Sequence, residues 1–192
     1  MATRVYPSAR ERILDAAERV LVRGGPRGLT VEAVIAQAKI SRGGFFYHFA
    51  TKDELIGAIF DRLCAEFAAD RVKAASRDRA ARGRQLRACV NVSATIDRRR
   101  QQRFYSLILA LIVGATESPA LVAKVRAMTK LFHDEMAADD LPIAQCLLVQ
   151  LALDALWLHE ALGTLKLPKR LRQEVFDLAR ALTRVPLSGE KA

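Results

Sequence analysis

The fold is decided by the stretch LTVEAVIAQAKISRGGFFYHFATKDELIGAIF, residues 29–60. Three hydroxyl residues, Thr30, Ser41 and Thr51, each stand where a pattern of apolar residues begins, which is the usual place of a helix N-cap. Thr51 is followed three residues later by Glu54, the spacing of a capping box. The stretch therefore predicts two short helices joined by a tight turn, followed by the start of a long helix.

A further helix precedes this stretch. Ser8 and Glu11 have capping-box spacing, and Ile13, Ala17 and Val20 then recur on one helical face. The run Gly24-Gly25-Pro26 predicts the end of this helix. Residues 8–50 thus read as three helices with very short connections, which is the arrangement of a helix-turn-helix.

The predicted third helix, SRGGFFYHF at residues 41–49, combines two glycines with four aromatic rings. Glycine costs about 1 kcal/mol in a helix, but it removes side-chain bulk and allows the backbone to approach a DNA groove closely. Phe45 and Phe49 are four residues apart and share a face. We expect these two rings to pack the helix onto the first helix and so to offset the poor propensity of Gly43 and Gly44.

The composition narrows the class of protein. The chain has 192 residues, is 51% hydrophobic and carries a formal net charge of +10, which favours polyanionic partners such as nucleic acid or an anionic membrane surface. The alternative is a soluble protein that is simply rich in arginine. Three widely spaced cysteines, no signal-peptide pattern and no uninterrupted apolar span predict a soluble cytoplasmic protein with buried thiols and no membrane segment.

Helical patterns continue to the end of the chain and predict an all-α protein of about nine helices. An apolar segment runs from Leu141 to Leu162, and a last helix begins after Pro168. The predicted organisation is a helix-turn-helix DNA-binding domain at residues 1–50 and a larger helical domain at residues 51–192.

Residues 8–60 resemble the DNA-binding domain of the TetR family of bacterial transcriptional regulators. The resemblance rests on the threonine before the second helix, the Ser-Arg-Gly that opens the third, the Tyr-His-Phe that closes it, and the Thr-Lys-Asp-Glu-Leu that opens the fourth. It implies that the phosphate contacts come from Thr30, Tyr47, His48 and Lys52. It places Ser41, Arg42, Gly43 and Gly44 at the front of the recognition helix, with Arg42 suited to bidentate contact with guanine.

Alternatives remain for three of these residues. Arg42 could contact phosphate instead of a base, Tyr47 could be a core ring with its hydroxyl at the surface, and His48 could be a structural histidine. Gly44 and Phe46 depart from the residues most frequent in the family, where a hydroxyl or alanine and a tyrosine are common. Both departures remove a side-chain contact, so DNA shape would contribute more to site selection.

For the C-terminal domain the resemblance implies a homodimer through the last two helices, at about residues 141–162 and 168–183, and a pocket for a small-molecule effector. The pocket candidates are apolar or amide side chains that would equally suit a plain helical core: Phe67, Phe104, Leu107, Ile108, Met128, Phe132, Gln150 and Trp157. The resulting expectation is a repressor that binds a palindromic double-stranded DNA operator and is released by an effector.

Other functions have less support in the sequence. No phosphate-binding loop, metalloprotease motif or nucleophile–base spacing occurs, so neither an enzyme nor a cofactor or metal site is predicted. The alternatives are a non-specific DNA-binding protein and an interaction protein of the same fold that has lost DNA binding. The basic run from Arg71 to Arg87 would add salt-dependent DNA affinity if it faced DNA, or would be a solvated flank.

Overall fold

The structure, a computed structural model that describes residues 8–115 and 118–187, contains nine α-helices and no β-strand in these residues. The helices are α1 (Ala9–Gly28), α2 (Val31–Ala38), α3 (Arg42–His48), α4 (Lys52–Ser76), α5 (Arg84–Thr95), α6 (Arg98–Ala115), α7 (Pro119–Ala137), α8 (Ile143–Leu162) and α9 (Lys169–Leu182). The all-α fold class is confirmed. No helix of the described chain is long and apolar enough to cross a membrane.

The predicted N-caps of the first three helices are confirmed. The hydroxyl oxygen of Ser8 accepts from the backbone N–H of Glu11 at 3.2 Å, and Thr30 and Ser41 accept in the same way at 3.1 and 3.0 Å. These bonds satisfy amide groups that have no partner inside the helix. Each short helix therefore begins where its hydroxyl residue stands.

The end of α1 differs from the prediction. Gly25 has φ 62° and ψ −169°, so the helix is kinked there, and a further helical turn continues through Pro26 to Gly28. Glycine tolerates this positive φ, and proline at the next position is preorganised to start a turn because its own φ is fixed. The sequence GGP therefore bends the helix, and Gly28 ends it.

The chain forms two compact units. The first consists of Met1–Leu63 and Gln102–Ala123, and the second of Cys64–Gln101 and Lys124–Ala192. The predicted division at residue 50 is a different kind of boundary and stays a prediction. The core of the first unit is built from buried aliphatic and aromatic side chains: Ile13, Leu14, Leu21, Leu29, Val34, Phe45, Phe49, Leu55, Ile59 and Leu107.

In the second unit, α5 packs against α8 and α9. Its buried side chains include Leu86 and Val90 of α5, Val149 and Trp157 of α8, and Phe176 of α9. The chain after α9 is held by hydrogen bonds from the side chain of Gln145, which donates to Val185 O at 2.9 Å and accepts from Leu187 N at 2.7 Å. A buried amide thus fixes the segment that follows the last helix.

Candidate DNA-binding surface

Helix α3 is held in the first unit by its two predicted anchors. Phe45 and Phe49 are almost completely buried in the same core as α1, and their ring centroids are 6.1 Å apart. The guanidinium of Arg10 covers the Phe49 ring at 5.1 Å from its centroid. The predicted packing is confirmed, and it leaves the opposite face of this short helix in solvent.

The tyrosine of α3 lies on that solvent face. The Tyr47 side chain is 86% exposed, which excludes its alternative role as a core ring. Its ring meets the half-buried His48 ring edge-on, with centroids 5.0 Å apart. The hydroxyl of Tyr47 is therefore free to donate to a phosphate oxygen. His48 lies at the edge of the exposed face and is half-buried.

The front of α3 exposes backbone. Ser41, Arg42 and Gly43 are exposed, and a Cβ atom added to Gly43 would meet nothing within 4 Å. At Gly44 an added Cβ would lie 3.2 Å from the hydroxyl oxygen of Ser41, which caps the helix through Gly44 N. The space beside Gly43 is therefore open, whereas a side chain at position 44 would crowd the Ser41 cap.

The capping hydroxyls retain the chemistry needed for phosphate contact. Thr30 and Ser41 use their oxygen as an acceptor, so the hydroxyl proton of each remains available as a donor. Lys52 is exposed at the first position of α4, beside Thr51, whose hydroxyl accepts from Glu54 N at 3.1 Å. A cation at a helix N-terminus with exposed amide groups is a suitable place for an anion.

Arg42 has a partner that the sequence reading missed. Its guanidinium forms an ion pair with Glu32 of α2 at 3.3 Å and lies 5.5 Å from the centroid of the Phe46 ring. Both charged side chains are exposed, so the pair is weak and screened. Glu32 therefore holds Arg42 loosely and leaves its guanidinium accessible to solvent. The pair was not predicted because Glu32 and Arg42 are ten residues apart and lie on different helices, so no helical spacing relates them.

Three arginines of the basic run from Arg71 to Arg87 form ion pairs within the second unit. Arg71 is paired with Glu135 at 2.7 Å, Arg82 with Asp140 at 2.8 Å, and Arg87 with Asp78 at 2.5 Å. Arg71 and Arg87 are also buried, which a cation tolerates only when it is paired. For these three residues the spacing in sequence suggested an open basic patch, but the side chains form structural ion pairs.

The predicted effector-pocket residues are divided between the units. Phe104, Leu107 and Ile108 belong to the first unit, where Leu107 is buried in the core. The other five belong to the second unit, and of these Trp157 is buried and the rest are half-buried: Phe67, Met128, Phe132, Gln150 and Trp157. Their role in binding stays a prediction.

Polar side chains contact two of the second-unit candidates, Gln150 and Phe132. The side-chain oxygen of Gln150, Oε1, lies 3.0 Å from Nε2 of His133. The side-chain nitrogen of Gln150 donates to a carboxylate oxygen of Asp154 at 3.4 Å. The Arg71 guanidinium covers the Phe132 ring at 4.8 Å, and within the described chain its buried Nε and Nη1 atoms have no hydrogen-bond partner. Arg71 and His133 were not among the predicted pocket residues because neither belongs to an apolar stripe.

Sequence models of two protein domains match the chain. Residues 13–59 match the domain described as bacterial regulatory proteins, tetR family, and residues 83–184 match the tetracyclin repressor-like C-terminal domain. The first match contains helix α3 and the capping residues Thr30, Ser41 and Thr51. The second covers more than half of the chain.

Individual relatives agree with these matches. The HTH-type transcriptional repressor Rv3405c of Mycobacterium tuberculosis is 38% identical over 64 residues, which cover 31% of this chain and 34% of that protein. The match thus spans about a third of the relative's length. Similar HTH-type regulators occur in Mycobacterium bovis and in a second strain of Mycobacterium tuberculosis, with the same identity and coverage.

Solved structures share the fold over nearly the whole chain. A transcriptional regulator from Rhodococcus sp. RHA1 has a TM-score of 0.78 at 21% identity and covers 92% of this chain and 96% of its own. A TetR family member from Streptomyces coelicolor has a TM-score of 0.70 at 26% identity, with 93% and 100% covered. The multidrug binding protein EbrR in complex with malachite green has a TM-score of 0.70 at 24% identity, with 93% and 100% covered.

Proposed function

The chain belongs to the TetR family of bacterial regulatory proteins, and on this premise we propose that it is a homodimeric, sequence-specific repressor of transcription in the cytoplasm, released from its operator by a small molecule. One observation carries the proposal. Phe45 and Phe49 bury one side of α3, while Arg42 and Tyr47 project from the other side. That is the arrangement by which a recognition helix is held rigidly and offered to a major groove.

The roles of the exposed residues follow from their chemistry. Arg42 is the candidate for direct readout, because a guanidinium can donate two parallel hydrogen bonds to guanine O6 and N7. Thr30, Tyr47, His48 and Lys52 supply donors or charge to phosphates, which fix register without reading sequence. Few side chains then reach base edges, so groove shape at positions the protein does not touch contributes to selectivity.

A dimer is supported by apolar side chains left exposed on the last two helices. Leu148 and Leu151 of α8 and Leu171 and Leu178 of α9 are all exposed, and Leu151 and Leu178 are more than 60% accessible. Leucines at this spacing on neighbouring helices are typical of an isologous interface. A two-fold dimer would place its recognition helices about 34–36 Å apart and would select a palindrome.

The proposed effector is a small, largely apolar molecule. The half-buried rings and methionine of the second unit, with the Gln150 amide, suit an adaptable apolar ligand with one or two polar groups. The multidrug binding protein EbrR, which shares the fold, binds malachite green. Such a ligand would release DNA only in so far as it binds the two conformations of the dimer with different affinity.

The test is selection of binding sites from a random duplex-DNA pool at ~200 mM salt, where weak non-specific contacts have faded. Enrichment of one palindrome with two half-sites a helical turn apart is the expected result. Diffuse enrichment would favour a non-specific DNA-binding protein, and no binding would favour an interaction protein of the same fold. The enriched duplex then serves as the probe for effectors that release it.

A further inference from the structure

A cleft of about 720 Å³ lies wholly within the second unit, between the end of α4, helix α5, the start of α6 and the end of α9. None of the predicted effector residues lines it. Its volume falls in the range of small-molecule and cofactor sites, about 300–1,000 Å³. The cleft is therefore a separate place where this chain could hold a ligand.

Unpaired cations distinguish this cleft from the rest of the basic run. Lys73, Arg77, Arg79 and Arg184 all line it, and within the described chain none of them forms an ion pair or a side-chain hydrogen bond. All four are exposed. Like charges gathered on a concave wall repel one another and raise the local positive potential, so the empty cleft favours entry of an anion.

The acidic residues of the cleft do not cancel these charges, because each is already engaged. Asp70 is bound by Arg100, and Asp78 accepts from Nε of Arg87 at 2.5 Å. Asp97 accepts from two backbone N–H groups at the start of α6, at 2.9 and 3.0 Å. The carboxylates thus serve the local structure, and although Arg184 attracts Asp78 from a distance, none of the four cations is paired with a carboxylate.

The walls that carry the cations are fixed by Arg87, whose side chain is only 3% exposed. Its guanidinium donates to Ala80 O at 3.1 Å in the loop after α4 and to Thr183 O at 3.1 Å after α9. Gly83 reinforces the junction, because its φ is +65° and an added Cβ would lie 2.0 Å from Thr183 O. The loop that bears Arg79 and the turn that bears Arg184 are therefore tied to one point.

We propose that this cleft binds a nucleotide-sized polyphosphate anion. Arginine presents planar pairs of donors that match phosphate oxygens, and several arginines around one cavity suit a ligand with more than one phosphate. Val92 and Ile96 add an apolar wall against which the uncharged part of such a molecule could lie. Because Arg87 ties together the backbone segments that carry Arg79 and Arg184, binding requires the ordering of side chains and not of these segments.

The test is isothermal titration of the full-length protein with inorganic tripolyphosphate and, in a parallel arm, with ATP and adenosine, all at ~150 mM salt to suppress non-specific attraction. Saturable binding of tripolyphosphate and ATP, but not of adenosine, is expected. The variant Arg77→Gln/Arg184→Gln should weaken both by at least about tenfold, since it removes two charge-assisted donors. Tighter binding of ATP than of tripolyphosphate would assign the apolar wall to the nucleoside.

A matched control removes the same charge elsewhere. Arg19 and Arg126 are exposed and lie outside the cleft, so Arg19→Gln/Arg126→Gln should change the affinity by less than about twofold. The variant Arg77→Lys/Arg184→Lys keeps the charge but loses the planar pairs of donors, so its affinity should lie between those of the wild type and the glutamine variant. Melting temperatures should match across all variants, because Arg77 and Arg184 make no side-chain hydrogen bond in the described structure.

Three results would overturn the proposal. The first is the absence of saturable binding by tripolyphosphate and ATP. The second is an equal loss of affinity in the cleft variant and the control, which would reduce the effect to net charge. The third is a cleft variant that loses non-specific duplex-DNA binding while tripolyphosphate affinity is unchanged, which would make the cleft a nucleic-acid contact. None of these depends on whether the protein recognises an operator.

Discussion

The guanidinium of Arg62 on α4 is bound to the carboxylate of Glu18 on α1, with Nε and Oε1 2.8 Å apart. Asp15 accepts from the same guanidinium at 2.8 Å, and Glu18 is also paired with Nε of Arg103 on α6 at 2.6 Å. Burial opposes the charge of Arg62, but hydrogen bonds and attraction from Glu18 and Asp15 prevail and raise its pKa above the ordinary value. Three helices of the first unit are thus joined at one carboxylate.

The first prediction concerns this junction. Glu18→Gln should lower the free energy of unfolding by about 1–3 kcal/mol, because the Glu18 side chain is 10% exposed and its loss leaves two partly buried arginines short of a counter-charge. Glu11→Gln is the control, since that carboxylate is 47% exposed and should contribute less than about 1 kcal/mol. Urea denaturation at fixed protein concentration measures both. Equal effects would mean that Glu18 is not the centre of the network.

The second prediction separates base readout from phosphate contact. Arg42→Ala should cost about 1–3 kcal/mol on the selected operator and relax the preference at one base pair in each half-site. Lys52→Ala should weaken binding to all duplexes and reduce the slope of log K against log salt by about one per recognition helix. Fluorescence anisotropy with operator and scrambled duplexes over a salt series distinguishes them. If Arg42→Ala weakened both duplexes equally, Arg42 would be a phosphate contact.

Local features of the fold were accessible from sequence because they depend on neighbours in the chain. The caps at Thr30 and Ser41 and the anchors Phe45 and Phe49 follow from spacings of three and four residues, and the structure confirms them. The ion pair of Arg42 with Glu32 and the position of Arg87 against Thr183 join different helices. No periodicity within one helix encodes such contacts, so nothing in the sequence indicated that Arg71 and Arg87 of the basic run are buried and paired.

The exposed leucines of α8 and α9 give the third prediction. Leu151→Glu/Leu178→Glu should convert the dimer to a monomer, because it places charges in an apolar interface, and operator affinity should fall by more than about tenfold as the second half-site is lost. Leu131 is equally exposed but lies on α7, outside the proposed α8–α9 interface, so Leu131→Glu should leave the dimer intact. Sedimentation velocity measures the oligomeric state. A dimer that survives the double change would place the interface elsewhere.

The fourth prediction is a dependence of stability on acid at the Arg87 junction. The hydrogen bond from Arg87 lowers the pKa of Asp78 below its ordinary value of 3.8. A lowered folded-state pKa means that the stabilisation is present above pH ~4 and is lost as the pH falls through the folded-state pKa. Asp78→Asn should therefore flatten the stability profile below pH ~4 and cost about 3 kcal/mol at pH 7, because Arg87 stays buried without its counter-charge.

The control for that change is Asp134→Asn, which removes an exposed ion pair with Lys130 one helical turn away. It should cost less than about 0.5 kcal/mol and leave the acid profile unchanged. Thermal melts from pH 3 to pH 7 give the comparison. A D78N profile that remains parallel to that of the wild type would show that other carboxylates dominate the acid transition.

The last prediction concerns the reactivity of the three cysteines. Burial raises the pKa of the Cys89 thiol to about 12, and burial followed by the nearby Asp139 raises that of Cys146. Cys64 is half-buried. At pH ~8 the thiolate fraction at Cys89 is about one in ten thousand, so a disulfide reagent should modify one thiol rapidly in the native protein and all three after denaturation.

Substitution identifies which thiol reacts. Cys64→Ser should abolish the rapid phase, whereas Cys89→Ser should leave it unchanged. A rapid second phase that disappears in Cys89→Ser would show that α5 opens readily in solution.

Burial of the Cys89 thiol also affects stability at alkaline pH. A thiol whose folded-state pKa is raised stabilises the fold below its unfolded-state pKa of about 9, and this contribution declines as the pH rises from there toward 12. Alkaline melts of wild type and Cys89→Ser should therefore converge as the pH is raised above ~9.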